Sequence, residues 1–182
     1  GTGRLTQAAR KAGIRTDPPV ELYSDPLHAQ GKQDDQDVTR REVRERLLRE
    51  ARAPPGPNVA NVWVFENPCT SFCDHQTAGG TRTWENPKGD GTRPGEVEGN
   101  LFGEFSCQCM LELHRKGKGF VLENQEHRGI YPKLYDLPCF QELLRRTQAV
   151  ILKGAMCAWG LRPSDSTDPS VFYRKNYWLV VS

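Results

Sequence analysis

The sequence predicts an α/β fold, a mainly parallel sheet with helices on both faces, from three observations. Strand-like apolar runs alternate with segments of helical periodicity along most of the chain, the pattern that βαβ units require. The run Val62-Trp63-Val64-Phe65 is continuously apolar between Asn61 and Glu66, as in a strand covered on both faces. A length of 182 residues suits one domain with a single core, so residues 1–182 are read as one unit.

The chain opens on Gly1-Thr2-Gly3 and enters a segment with Leu5, Ala8, Ala9 and Ala12 at i, i+3, i+4 and i+7, an amphipathic helix closed by Gly13. Glycines that open a helix suit a strand-to-helix turn, which places a first strand just upstream of Gly1. Residues Pro19 to Tyr23 read as a short strand with Glu21 near its end, and a polar, turn-rich stretch then runs to Asp37. Thr39-Arg40-Arg41-Glu42 has the form of a capping box and predicts a helix over about 40–52. Glu42 with Arg46 and Glu45 with Arg49 would pair on its solvated face. Pro54, Pro55 and Pro57 break that helix, and the strand Val62–Phe65 follows and ends at Pro68-Cys69.

From Asp74 to Gly99 the chain is rich in glycine and has no periodicity, which predicts a long flexible loop at 74–99 acting as a lid. Within it, Arg82, Trp84 and Arg93 would contact a base or a phosphate, or Trp84 would fold back onto the domain. Asn100 is the expected cap of a helix carrying Leu101, Phe105, Cys109 and Leu113, and the basic, glycine-bearing residues 115–119 end it. Phe120-Val121-Leu122 makes a strand running into Glu123-Asn124. A short helix from Cys139 to Arg146, a strand from Ala149 to Ala158 and a last strand from Tyr177 to Val181 complete the order, the last two antiparallel at one edge.

Composition bounds function. Hydrophobic content of 36%, charged content of 26% and a mean hydropathy of -0.69 describe a soluble chain, and no apolar run approaches membrane-spanning length, so no membrane partner is expected. Twenty-five basic against 23 acidic residues leave a net charge of +2, too little for a global attraction to nucleic acid. Any such binding must come from local patches. The six cysteines lack a secreted-framework spacing, which favours a reducing intracellular compartment. Cys69-x3-Cys73-x-His75 with Cys107-x-Cys109 offers zinc's usual ligands but not the repeated knuckle spacing of a zinc module.

Two strand ends carry chemistry. Cys69 follows Val62–Phe65 and Glu123 follows Phe120–Leu122, and loops at the carboxyl ends of parallel strands form the crevice where open α/β sheets bind ligands. A thiolate and a carboxyl group are the parts needed for covalent addition to a ring that must also be protonated or hydrogen-bonded. The plainer alternatives are a packed thiol for Cys69 and an acid accepting loop amides for Glu123. Glu66-Asn67-Pro68 and Glu85-Asn86-Pro87 repeat the glutamate-asparagine pair, but neither follows a strand of its own beyond that of Cys69.

In order along nearly the whole chain, these motifs resemble the cytosine-5 DNA methyltransferases, a Rossmann-like family that uses S-adenosylmethionine. Gly1-Thr2-Gly3-Arg4-Leu5-Thr6 with Ala12-Gly13 resembles the family's first motif, beside the methionine part of the cofactor. Glu21 falls where the family has an acid for the ribose, and Asp37-Val38 where it has one near the adenine. Pro68-Cys69 is similar to the proline-cysteine nucleophile motif and Glu123-Asn124 to the glutamate-asparagine motif, while Trp159-Gly160 and Arg174-Lys175 are loosely similar to the glycine turn and arginine motif. The resemblance implies catalytic Cys69 and Glu123, cofactor contacts from Gly1, Thr2, Gly3, Glu21 and Asp37, substrate contacts from Asn124 and Arg174, and DNA as partner. It is narrowest toward divergent modules carried in retroelement polyproteins. Asn67 replaces a second proline and Gln125 the usual valine or proline, and the resemblance stops before the family's target-recognition region. These departures frame the alternative, a non-catalytic module that binds nucleic acid or protein.

Overall fold

The computed structural model describes residues 4–18, 34–68, 70–72, 80–125, 131–155 and 176–182. Helix α1 spans Arg4–Lys11 and is closed by Gly13 at φ 78°, the left-handed conformation that glycine adopts without steric cost. Helix α2 is Arg41–Arg52, α3 is Pro94–Arg115 and α4 is Pro138–Thr147. The strands are β1 Val62–Glu66, β2 Gly119–Gln125, β3 Val150–Ala155 and β4 Asn176–Val181. They form one sheet in the order β1-β2-β4-β3.

β1 and β2 are parallel, whereas β4 lies antiparallel to both β2 and β3. The expected mainly parallel sheet is therefore corrected to one parallel and two antiparallel pairs. The last two strands are antiparallel with β3 at an edge, as expected, but β4 also inserts between β3 and β2. β1, β2 and β3 still point the same way.

Helices on both faces is the second correction. Trp63, Phe65, Phe120, Leu122, Trp178, Val180 and Ile151 share one face by register and pack under Met110 and Leu113 of α3 and Phe140 and Leu143 of α4, with Val43 and Leu47 of α2 alongside. On the other face Val62, Val64, Val150 and Leu152 are 60%, 47%, 59% and 51% exposed. The apolar run of β1 thus alternates in burial, because α2, α3 and α4 all cover the same side. A run of apolar residues reports hydrophobicity, not the number of layers above it.

Helix ends also differ from expectation. The capping box does not form: Arg40 is the N-cap without a side-chain cap, Thr39 donates its amide and hydroxyl to Asp37 Oδ1 at 2.9 and 2.6 Å, and Glu42 pairs with Arg40 at 2.7 Å. Asp37 captures the threonine first. The exposed pairs of α2 are Arg41–Glu45 and Arg46–Glu50, one residue out of step with the expected ones. Lys118, 3% exposed, donates its ammonium to the Glu50 carbonyl at 3.0 Å, a cation at the carbonyl end of α2. α3 begins at Pro94 instead of Asn100, with proline at a first-turn position where its missing N–H costs nothing. Its Gly103 lets α3 press onto α4's approach, since a Cβ there would sit 2.9 Å from Leu137 Cδ1 and 3.0 Å from Leu134 Cδ1.

A one-sided core has an asymmetric cost of substitution. Leu122→Ala on the covered face should lose about 2–5 kcal/mol in chemical denaturation, whereas Val64→Thr on the open face should stay within about 0.5 kcal/mol. Equal losses would show that something covers both faces.

Candidate functional site

The parallel register sets Glu66 opposite Glu123, so the segments leaving β1 and β2, beginning at Asn67-Pro68 and Asn124-Gln125, start side by side at one end of the sheet. Strand alternation then sends Glu123 and Asn124 to opposite faces. Asn124 is 2% exposed on the covered face and donates its Nδ2 amide to the Asn67 carbonyl at 3.1 Å. From α3, the Ser106 hydroxyl donates to Asn67 Oδ1 at 2.8 Å. The chain entering Pro68 is thereby tied to both β2 and α3. Asn67 Nδ2 is buried and has no hydrogen-bond partner among the described residues.

Glu123 is half-buried on the face that carries Glu66. Its charge reaches Tyr135, of the turn Leu134–Asp136, whose hydroxyl donates to the Trp178 carbonyl at 2.9 Å. Burial first, then the Glu123 carboxylate, push the Tyr135 phenol well above its ordinary value, so it stays a neutral donor at any physiological pH. Tyr135 thus ties the turn before α4 to β4 at Trp178, the register partner of Asn124.

Beyond the ends of β1 and β2 opens a cleft of about 230 Å³, lined by Ser71 and Phe72 after β1, the first turn of α3 at Pro94–Glu96, and Tyr131 and Pro132 after β2. Arg82 forms its wall. This guanidinium is 5% exposed and donates to the carbonyls of Ser71, Pro87 and Glu96, to Ser71 Oγ and to Asn100 Oδ1, while lying 3.9 Å above the Phe72 ring. Glu96, 6% exposed, accepts the Thr81 amide at 2.9 Å and the Thr81 hydroxyl. Gly89, at φ 76°, leaves room for that carboxylate, since a Cβ there would collide with Glu96 and Thr81. Residues 80–93 are therefore packed around buried polar groups, and 94–99 are helical, where the sequence predicts a long loop. Arg82 is a scaffold residue and not a phosphate contact; Arg93 and Trp84 remain exposed.

The other expected site residues divide clearly. Cys69, Gly1, Thr2, Gly3, Glu21 and Arg174 lie outside the described residues, as do Cys73, His75, Cys157 and Trp159-Gly160. Asp37 spends one oxygen on Thr39 at the start of α2. Cys107 and Cys109 are both buried but face different parts of the core, one toward Met110 and Phe140, the other toward Val43 and Leu47. Among the described residues no group of three or more His, Cys, Asp or Glu is placed to hold a metal ion. Burial and then Glu112 push the Cys109 thiol up to about 12.

Sequence reasoning missed Ser106, Tyr135 and the Arg82–Glu96 wall. Glu96 alone had a legible signal, an acid in the first turn two residues after a proline. Comparison with protein-family models, curated proteins and solved structures finds no match to this chain.

Arg82→Lys keeps a charge but cannot serve five acceptors in fixed geometry, so it should lose nearly as much stability as Arg82→Ala, about 3 kcal/mol by denaturant titration. A neutral Arg82→Lys would mean that charge alone holds the wall.

Proposed function

We propose that the chain transfers a methyl group from S-adenosylmethionine to C5 of cytosine in DNA through a covalent cysteine intermediate. The single observation that carries this reading is the in-register parallel pairing of β1 with β2, which sets Glu66, three residues before Cys69 in the chain, opposite Glu123 at one end of the sheet. Nucleophile and acid on neighbouring strand ends are what covalent activation of one ring demands. The braced Asn67 adds support, because a nucleophile loop needs a fixed point of departure.

On this reading the Cys69 thiolate adds to C6 of an extruded cytosine while Glu123 engages N3, raising electron density at C5. The base must leave the duplex because its reactive face is stacked. Glu123 works as a hydrogen-bonding acid at the ring nitrogen, and Asn124 as a positioning residue acting through the Asn67 carbonyl. S-adenosylmethionine supplies the methyl group. Gly1, Thr2, Gly3, Glu21 and Asp37 would hold it, the first four of which lie outside the described residues. A Rossmann-like, methyltransferase-type arrangement belongs to the same proposal; the shared direction of β1, β2 and β3 supports it.

Incubation with S-adenosylmethionine and DNA containing 5-fluorocytosine should yield a covalent protein–DNA adduct that Cys69→Ser abolishes. Glu123→Gln should slow adduct formation by about 10²–10⁴-fold while leaving DNA binding within about twofold. Ser106→Ala should slow it by a smaller factor, about tenfold, through loss of one hydrogen bond on Asn67. DNA binding with no adduct in the parent chain would replace the enzyme with the non-catalytic module.

A further inference from the structure

The amino ends of β1 and β2, about 13 Å along the strands from Glu66 and Glu123, carry an excess of positive charge. Residues 51–61 and 112–118, which lead into the two strands, hold four cations, Arg52, Arg115, Lys116 and Lys118, against one acid, Glu112. Arg49 in the last turn of α2 adds a fifth, and Glu50 beside it is already paired with Arg46 at 3.1 Å. The whole chain carries only +2, so its net charge is concentrated at this end. The Gly119 amide bonds the Asn61 carbonyl at 2.8 Å and Lys118 reaches the end of α2, which fixes the two segments against each other.

The ordinary role of such cations is to offset the carbonyl ends of α2 and α3. Other groups fill that role here. At α2 the Ala53 amide bonds the Arg49 and Glu50 carbonyls, and the Lys118 ammonium bonds those of Glu50 and Ala51. At α3 the amides of Lys116, Gly117 and Lys118 bond the last carbonyls. Arg52 and Arg115 turn instead to Glu112: Arg52 Nη2 lies 3.3 Å and Arg115 Nη1 3.0 Å from the same oxygen, Oε1. One carboxylate thus meets two guanidinium groups, with half of each arginine side chain exposed, and neutralises only one of them. Arg49 and Lys116 are exposed and make no ion pair among the described residues.

We propose that Arg49, Arg52, Arg115 and Lys116 form a second contact surface for duplex DNA, gripping backbone phosphates without reading sequence. Guanidinium groups match phosphate oxygens in paired hydrogen bonds, and Arg52 and Arg115 each keep donors beyond the one spent on Glu112. A duplex offers closely spaced phosphates and releases counterions as each cation meets one. A protein partner would call for an apolar centre, and none of the large exposed apolar side chains among the described residues falls within 49–58 or 112–118. Choosing DNA as the polyanion rests on the methyl-transfer reading; the surface itself lies at the opposite end of β1 and β2 from the strand ends that carry that reading.

Binding of the full chain to a short fluorescent duplex should be titrated by anisotropy over a series of salt concentrations. Relative to the parent, Arg49→Gln with Lys116→Gln should bind about tenfold more weakly at about 0.1 M salt and lower the slope of log affinity against log salt by about two. Arg145→Gln with Arg146→Gln, the same charge change on exposed residues of α4, should stay within about twofold of the parent. An equal loss in the two double variants, or unchanged affinity and slope in the first, would overturn the proposal. So would displacement of the duplex by polyglutamate as effectively as by unlabelled DNA of equal charge, which would assign the surface to an acidic protein. With 5-fluorocytosine in the duplex, patch-dependent binding without an adduct overturns methyl transfer alone, and an adduct without patch dependence overturns the second surface alone. A parent chain that binds no duplex overturns both.

Discussion

Two adjacent parallel strands cannot be joined by a hairpin, so a chain that pairs β1 with β2 must leave the far end of β1, cross the sheet and return to the near end. Here that return is α3, all 22 residues of it, and most of the described structure depends on its course. Its first turn walls the cleft, Ser106 braces Asn67, Gly103 admits Leu134 and Leu137, and Met110 and Leu113 roof the sheet. Lys118 then ties its exit to the end of α2. Strand register and helix position are one constraint seen from two sides.

The sequence made legible those features that are written locally. Gly13 closes α1, Gly117 at φ 69° ends α3, and the four described strands fall where apolar runs stand. What escaped was decided by distant or competing partners. Thr39 and Glu42 have the letters of a capping box, but Asp37, two residues earlier, takes the threonine hydroxyl. β4 inserts between β2 and β3, a choice made by pairing energy across 50 residues of chain and carried by no local motif. The start of α3 hid among glycines and prolines, although Pro94 and Glu96 announce it.

The same division holds at the candidate site. The juxtaposition of the two strand ends was readable from order alone, since successive strand-helix-strand segments tend to pair as neighbours. The division of labour between Glu123 and Asn124 follows from the two-residue period of any strand: one must face the covered side and the other must not. Ser106 and Tyr135 could not be found this way, because each acts from another element, one on the Asn67 side chain and the other on the Trp178 carbonyl. Arg82 shows the converse. A basic residue in a glycine-rich segment reads as an anion contact until its five acceptors are seen to be protein atoms.

The open sheet face changes how this chain melts. Unfolding normally hydrates apolar side chains that were dry, and that newly wetted area sets both the heat-capacity increment and the steepness of a denaturant transition. Val62, Val64, Val150 and Leu152 are already half wet in the folded state and contribute little to either. A shallow denaturation curve for a chain of this length would therefore reflect the state it starts from, and need not signal loss of cooperativity.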